Sequence, residues 1–260
     1  YRVRKALAES LEILAKVSGI EIYKELSPTL LNSIKENLIR DEQHAIALKE
    51  EKQKLKEEED GKQEEDEEET KQQKLKKKWQ IPKGLHDTEG WKSLETCFMS
   101  LQYMMKGLIS HNFASYLTLD FLQLIHSATK HLNRFVREIG YFTYGTIITI
   151  LTEEELSIYG IQLAQYLHDG LADNWSQVRY AASTATRTFI LKMNHYNHLY
   201  FPYLLPPMCL NRYYVAKGVQ IYSLDTWKLL TKDDANYGKT LVAQYIKDIV
   251  SFYIKQAEAD

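Results

Sequence analysis

Breaks are scarce in this sequence. Five prolines and 11 glycines are spread over 260 residues, so long uninterrupted elements are the expectation. Cysteine is scarcer still. Cys97 and Cys209 stand far apart, and neither belongs to a CxxC or a metal-like cluster. That excludes a disulfide framework, leaves two reduced core thiols, and makes cytosol or nucleus the expected compartment. No apolar run nears the ~20 residues needed to span a bilayer, and the opening YRVRKALAES is not a signal peptide, so no membrane partner is expected. A surplus of one charge is also missing. The net charge of -2 gives no support to wholesale nucleic-acid binding, which needs a basic face. The chain opens inside a helical pattern without an initiator Met, and a fragment of a larger protein is expected.

What the sequence has is helical periodicity. Val3, Leu7, Leu11 and Leu14 recur every three or four residues, as do Leu30, Ile34 and Leu38, then Leu94, Phe98 and Leu101, then Leu241, Tyr245 and Ile249. Alternating strands joined by hairpin turns are absent. The β-branched run TIITIL (Thr146 to Leu151) continues the spacing of Val136, Gly140 and Tyr144, so it reads as a buried helix end.

From Lys49 to Lys78 the composition changes. These 30 residues hold 12 acidic and 10 basic side chains, with Leu55 and Leu75 alone apolar, and the remainder of the chain balances at 23 against 23. Such a stretch cannot bury enough surface to offset its ordering entropy. Residues 45–88 are expected to be a charged insertion, disordered or partly helical, with a tethered docking arm as the sharper alternative.

An internal repeat organises the rest. VRKALAESLEIL begins at Val3, VREIGYFTYGTI at Val136 and VRYAASTATRTF at Val178; VAKGVQIYSLDT at Val215 keeps the apolar steps but has Ala216 in place of Arg. The intervals of 42 residues from Val136 to Val178 and 37 from Val178 to Val215 lie near the ~40–47 period of two-helix repeats. Helix pairs are expected at 26–41 with 90–108, 113–131 with 135–151, 155–172 with 176–193, and 199–210 with 213–230. A lone helix precedes them at 2–18 and another follows at 238–257.

The stretch LADNWSQVRYAASTATRTFI, Leu171 to Ile190, resembles the HEAT repeat, in which an Asp-containing turn precedes Val-Arg and a second helix rich in small residues. The resemblance implies a right-handed, all-α solenoid of antiparallel helix pairs (HEAT/ARM-like), and turns tied between neighbouring repeats by Asp and Arg. Here that role would fall to Asp173 or Asn174 with Arg179, to Arg137, and at the first helix to Arg4. The small residues then have a physical reason. Helices that contact a partner and a neighbouring repeat at ~8–10 Å between axes need short side chains, and alanine supplies them at high helix propensity.

Little here points to chemistry. YGKT (Tyr237 to Thr240) echoes the end of a phosphate-binding loop but lacks its earlier glycine and its strand. His195 and His198 have no carboxylate or thiol beside them to complete a metal site. Glu153, Glu154 and Glu155 after Thr152 read as a capping box with dipole-favoured acids. No catalytic, metal or cofactor residue is assigned. The aromatics carry more: Trp175, Tyr200, Tyr203, Tyr213 and Tyr214 are candidate partner contacts, because Trp and Tyr dominate interface hot spots. The expected role is a non-enzymatic scaffold or adaptor segment that binds protein through a helical-repeat surface. The alternative is a nuclear-transport or nucleic-acid-associated module, which would require a clustered basic stripe.

Overall fold

The computed structural model describes residues 1–60, 90–109 and 113–259. Among the described residues there are eleven α-helices and no strand: α1 (Arg2–Ser18), α2 (Ile20–Asp60), α3 (Trp91–Gly107), α4 (Leu119–Thr129), α5 (Arg134–Ile150), α6 (Glu153–Leu171), α7 (Ser176–Lys192), α8 (Asn197–Asn211), α9 (Lys217–Thr231), α10 (Ala235–Gln244) and α11 (Ile246–Ala259). TIITIL lies in the last turns of α5 and the residue after it, with Ile147 and Ile148 fully buried. The polar breaks become caps. Thr118 accepts from Phe121 N at 3.2 Å, Asn133 from Phe135 N at 2.9 Å, and Asp234 from Asn236 N at 2.8 Å. At α6 both halves of the capping box form, Glu155 N to Thr152 Oγ1 at 3.2 Å and Thr152 N to Glu155 Oε2 at 2.8 Å. Gly19 turns α1 into α2 with φ 63° and ψ -148°, a conformation that a Cβ would make costly.

Helices α1, α3, α5, α7 and α9 pack each against the next; α2, α4 and α6 pack on α3, α5 and α7, and α8 lies between α6 and α11. The contacts between successive helices are close because the facing residues are small. Ala181, Ala182 and Ala185 are buried along α7. A Cβ built on Gly145 of α5 would stand 3.5 Å from the Ala185 Cβ, and one on Gly170 of α6 would come within 2.7 Å of the Ala182 Cβ. The hydroxyls of the same helix bond within it: Ser183 to Arg179 O at 2.7 Å, Thr184 to Ala181 O at 2.7 Å and Thr188 to Thr184 O at 3.1 Å.

Three expectations change. Helix α2 runs to Asp60 instead of ending near Asp41. Residues 41–60 hold no Gly or Pro and are rich in Glu, Lys, Gln and Ala, all good helix formers, and the first breaker is Gly61. The rest of the 45–88 segment, residues 61–88, lies outside the described residues. The single final helix is instead α10 and α11, parted at Tyr245 (φ -108°, ψ 20°).

The third change concerns α8, since an internal Pro ordinarily kinks or ends a helix. It continues from Asn197 to Asn211, with Pro202, Pro206 and Pro207 inside it. Each proline removes the N–H that would bond the carbonyl four residues earlier, and neighbours take over. The Tyr245 hydroxyl donates to His198 O at 3.4 Å, the carbonyl freed by Pro202. His168 Nδ1 meets Tyr203 O, freed by Pro207, at 2.8 Å. A carbonyl only accepts, so this nitrogen carries the proton. His168→Phe keeps the edge-on ring contact with Phe252 (5.2 Å) but strands the Tyr203 carbonyl. We expect a loss of about 1–3 kcal/mol, the cost of an unsatisfied enclosed acceptor, visible as a lower thermal midpoint by circular dichroism.

Candidate functional site: the edge of the turns

The turns that open α5, α7 and α9 lie side by side, and side chains tie each to the next. Arg137, one turn into α5, forks onto Asp173 in the following turn: Nε to Oδ2 at 2.7 Å and Nη2 to Oδ1 at 3.1 Å. Its Nη1 donates to His131 O and Leu132 O, both at 2.9 Å. Both partners are largely enclosed, with side chains 14% and 12% exposed. Two-point geometry makes this the strong kind of ion pair. Asp173 Oδ1 also accepts from Trp175 N at 2.8 Å and so shapes the turn.

Arg179, buried, carries the tie onward. It donates through Nε to Asp173 O at 2.5 Å, through Nη2 to Ala172 O at 3.3 Å and through Nη1 to Asn211 Oδ1 at 2.7 Å. Asn211, fully buried, returns a bond from Nδ2 to Leu171 O at 2.9 Å. The Arg179 guanidinium lies over the Tyr214 ring at 4.2 Å. Carbonyls at the end of α6, which a helix end leaves without partners, are thus met by side chains.

This corrects the expected pairing. The Asp173 carboxylate goes to Arg137 of the preceding turn, and Arg179 uses the Asp173 backbone and then reaches forward to Asn211. Asn174 is exposed and outside these bonds. Arg4 bonds Glu95 at 2.5 Å and joins α1 to α3. Sequence reading missed Asn211 and Glu95. Asn211 stands four residues before Val215, much as Asp173 stands five before Val178, so its position was available as a signal. Glu95 sits mid-pattern in α3 and gave none.

The aromatic candidates divide. Trp175 and Tyr213 are exposed, at 45% and 74%. Tyr214 is half-buried beneath Arg179, and Tyr203 is half-buried against the core. Tyr200 is not a surface residue: it is 2% exposed, its ring fills the space left by Gly160, and Phe189 meets it edge-on at 4.9 Å. Rings and cations alternate along the edge. Trp91 stacks on Phe135 with centroids 5.0 Å apart. The Arg134 guanidinium lies 4.9 Å from the Phe135 ring and 4.1 Å from the Trp175 ring. Further along, Arg212 lies 3.9 Å from the Trp227 ring and 5.7 Å from that of Tyr213. Leu132, Phe135 and Val215 are exposed beside them.

Other places offer less. A cleft of about 570 Å³ is lined by α1, α3, α5 and α7, among them Glu12, Lys106, Phe142, Thr146, Thr184 and Thr188. Burial pushes the Lys106 amine below its ordinary value, partly offset by Glu12. YGKT lies within α10, not in a loop that could cradle phosphate. Among the described residues no group of three His, Cys, Asp or Glu could hold a metal ion, and Cys97 and Cys209 are buried and free. No helix among the described residues is long and apolar enough to cross a membrane. Comparison with protein families, with curated proteins and with solved structures finds no match for this chain.

Proposed function

We propose that this chain is a right-handed α-solenoid of helix pairs, HEAT-like in its turns, and that it serves as a non-enzymatic scaffold in the cytosol or nucleus, binding protein along the edge of its turns. Packing of α1, α3, α5, α7 and α9 each on the next supports the solenoid reading, since repeat arrays are held by nearest-neighbour contacts. The Val-Arg turns with their Asp and Asn partners support the HEAT likeness.

The observation that carries the functional reading is the group of exposed apolar side chains on successive turns: Leu132, Phe135, Trp175, Tyr213 and Val215. The turns beneath them are fixed by buried arginine bonds, so the rings are presented on a rigid base. Rigid, partly exposed Trp and Tyr are the residues from which interface hot spots are made.

A comparative capture experiment tests this. Immobilised chain, the Trp175→Ser/Tyr213→Ser double variant, and an Ile158→Ser control would be offered the same cell extract. Ile158 is 73% exposed on α6 and outside the edge. The expected result is a set of proteins held by the unaltered chain and the control but reduced at least about five-fold in the double variant, the scale of losing hot-spot side chains. Equal capture by all three would remove the edge as the binding surface.

A further inference from the structure

The edge also carries cations that no carboxylate among the described residues neutralises. Three of its carboxylates are committed: Glu95 to Arg4 at 2.5 Å, Asp173 to Arg137 at 2.7 Å, and Asp169 to Lys130 at 2.6 Å. Among the described residues, Lys92, Arg134 and Arg212 have no carboxylate within ion-pair distance. Glu138, one turn beyond Arg134 on α5, forms no ion pair with it; its carboxyl is pushed up by burial and then by Glu95, with Arg134 only partly offsetting this. The Arg212 Nε is enclosed and bonds nothing among the described residues.

These cations are also held in place. The Arg134 guanidinium lies over the rings of Phe135 and Trp175, and that of Arg212 lies over Trp227. A guanidinium stacked by its face keeps its N–H groups in the plane, directed sideways, which is the geometry that accepts a carboxylate at two points. Trp91 has one ring contact with Phe135 and Trp175 one with Arg134, and Trp175 and Tyr213 keep exposed surface. Outside residues 49–78 the chain balances at 23 basic against 23 acidic residues, which gives no basic stripe to follow a phosphate backbone, whereas two separate cations suit spaced carboxylates.

We infer that the edge of the turns is a docking site for an acidic, extended peptide segment of a partner protein, whose carboxylates are taken by Arg134 and Arg212 and whose apolar side chains lie on Trp175 and Tyr213. This inference rests on the protein-binding reading above and adds the partner's chemistry. Packed helices lie ~8–10 Å apart, so two steps from the turn of Arg134 to that of Arg212 span about 20 Å. An extended chain covers that in about six residues at ~3.3 Å each. Carboxylates spaced by about six residues reach both arginines.

The test uses the full chain and three labelled probes read by fluorescence anisotropy: a 12-residue peptide (Glu-Ser-Gly)4, its neutral counterpart (Gln-Ser-Gly)4, and a 12-nucleotide oligo-dT. The glutamate peptide should bind, should weaken with added salt, and should lose about ten-fold in affinity in Arg134→Gln, the scale of one charge-assisted two-point contact. Arg134→Lys, which keeps the charge without the fork, should recover only part of this, and Arg212→Gln should act in the same direction. Thermal melts identify a variant that fails by unfolding; Arg134, half-buried with both neighbouring rings left in place by the substitution, is the primary one. Equal binding of the glutamine peptide, no binding of the glutamate peptide, or indifference to Arg134→Gln each overturns the inference. Tighter, Arg134-dependent binding of oligo-dT overturns it in favour of nucleic acid. If the peptides fail while the capture experiment still shows dependence on Trp175 and Tyr213, the protein-binding reading stands and the acidic partner alone is lost.

Discussion

Arg179→Ala is expected to lower stability by about 3 kcal/mol or more, because it removes charge-assisted hydrogen bonds from a buried network. The donors to Asp173 O, Ala172 O and Asn211 Oδ1 all disappear. Asn211, fully buried, keeps its bond to Leu171 O but has an acceptor left empty in a space the guanidinium filled. The removed stem and its contact with the Tyr214 ring also leave a cavity. For a chain of this size a loss of about 3 kcal/mol corresponds to a midpoint lower by about 6–12 °C. Differential scanning calorimetry or circular dichroism reads this directly. An unchanged midpoint would mean that Arg179 is dispensable to the fold, and its arrangement would then need a functional explanation.

Gly170→Val should be comparably severe for a steric reason. A Cβ at position 170 meets the Tyr141 ring and, within 2.7 Å, the Ala182 Cβ. Neither neighbour can yield cheaply. Tyr141 is 1% exposed, with its hydroxyl bonded to Tyr166 O at 3.2 Å, and Ala182 is fully buried on α7. Valine adds two further methyl groups in the same space, so α6 must move away from α5 and α7. Overpacking of a dense core costs typically 1–3 kcal/mol and occasionally more; the double contact here places the expected loss at the upper end, about 3 kcal/mol. The measurement is urea unfolding of the variant beside the unaltered chain, with Gly218→Val as the control. A Cβ at Gly218 meets nothing within 4 Å, so that substitution should be far milder. Equal losses at the two positions would show that helix propensity, not the α6–α7 contact, sets the cost.

Much of the architecture was legible in the sequence, and the reasons are local. Apolar spacing every three or four residues marks a helix face whatever it packs against, so the ends of α1, α3, α5, α6 and α7 fall within a few residues of expectation. Thr152 with Glu155 announces a capping box because every partner lies within three residues. Long-range facts were less accessible. Tyr200 was named a candidate contact because its residue type is common at interface hot spots; it is buried because Gly160, 40 residues earlier, leaves a slot for it. Prolines inside α8 would by themselves predict a kink, because their missing N–H groups are visible in sequence, whereas the His168 and Tyr245 side chains that take two of the freed carbonyls come from other helices. The candidate site followed the same rule. Trp175 and Tyr213 stood out by residue type, but Arg134 meets Trp175, and Phe135 meets Trp91, only through contacts between turns some 40 residues apart.

The polar residues of the turns tie successive helix pairs together, and the exposed rings, with the cations that have no carboxylate among the described residues, form the surface proposed for a partner. The most direct measurement is a double-mutant cycle on the Arg179–Asn211 tie, with Arg179→Ala, Asn211→Ala and the double variant compared by urea unfolding. A direct buried tie predicts that the two losses overlap, so that the double variant falls short of their sum by about 1–3 kcal/mol, the range seen for residues in one hydrogen-bonded network. Losses that add to within about 0.5 kcal/mol, the behaviour of independent sites, would contradict the claim.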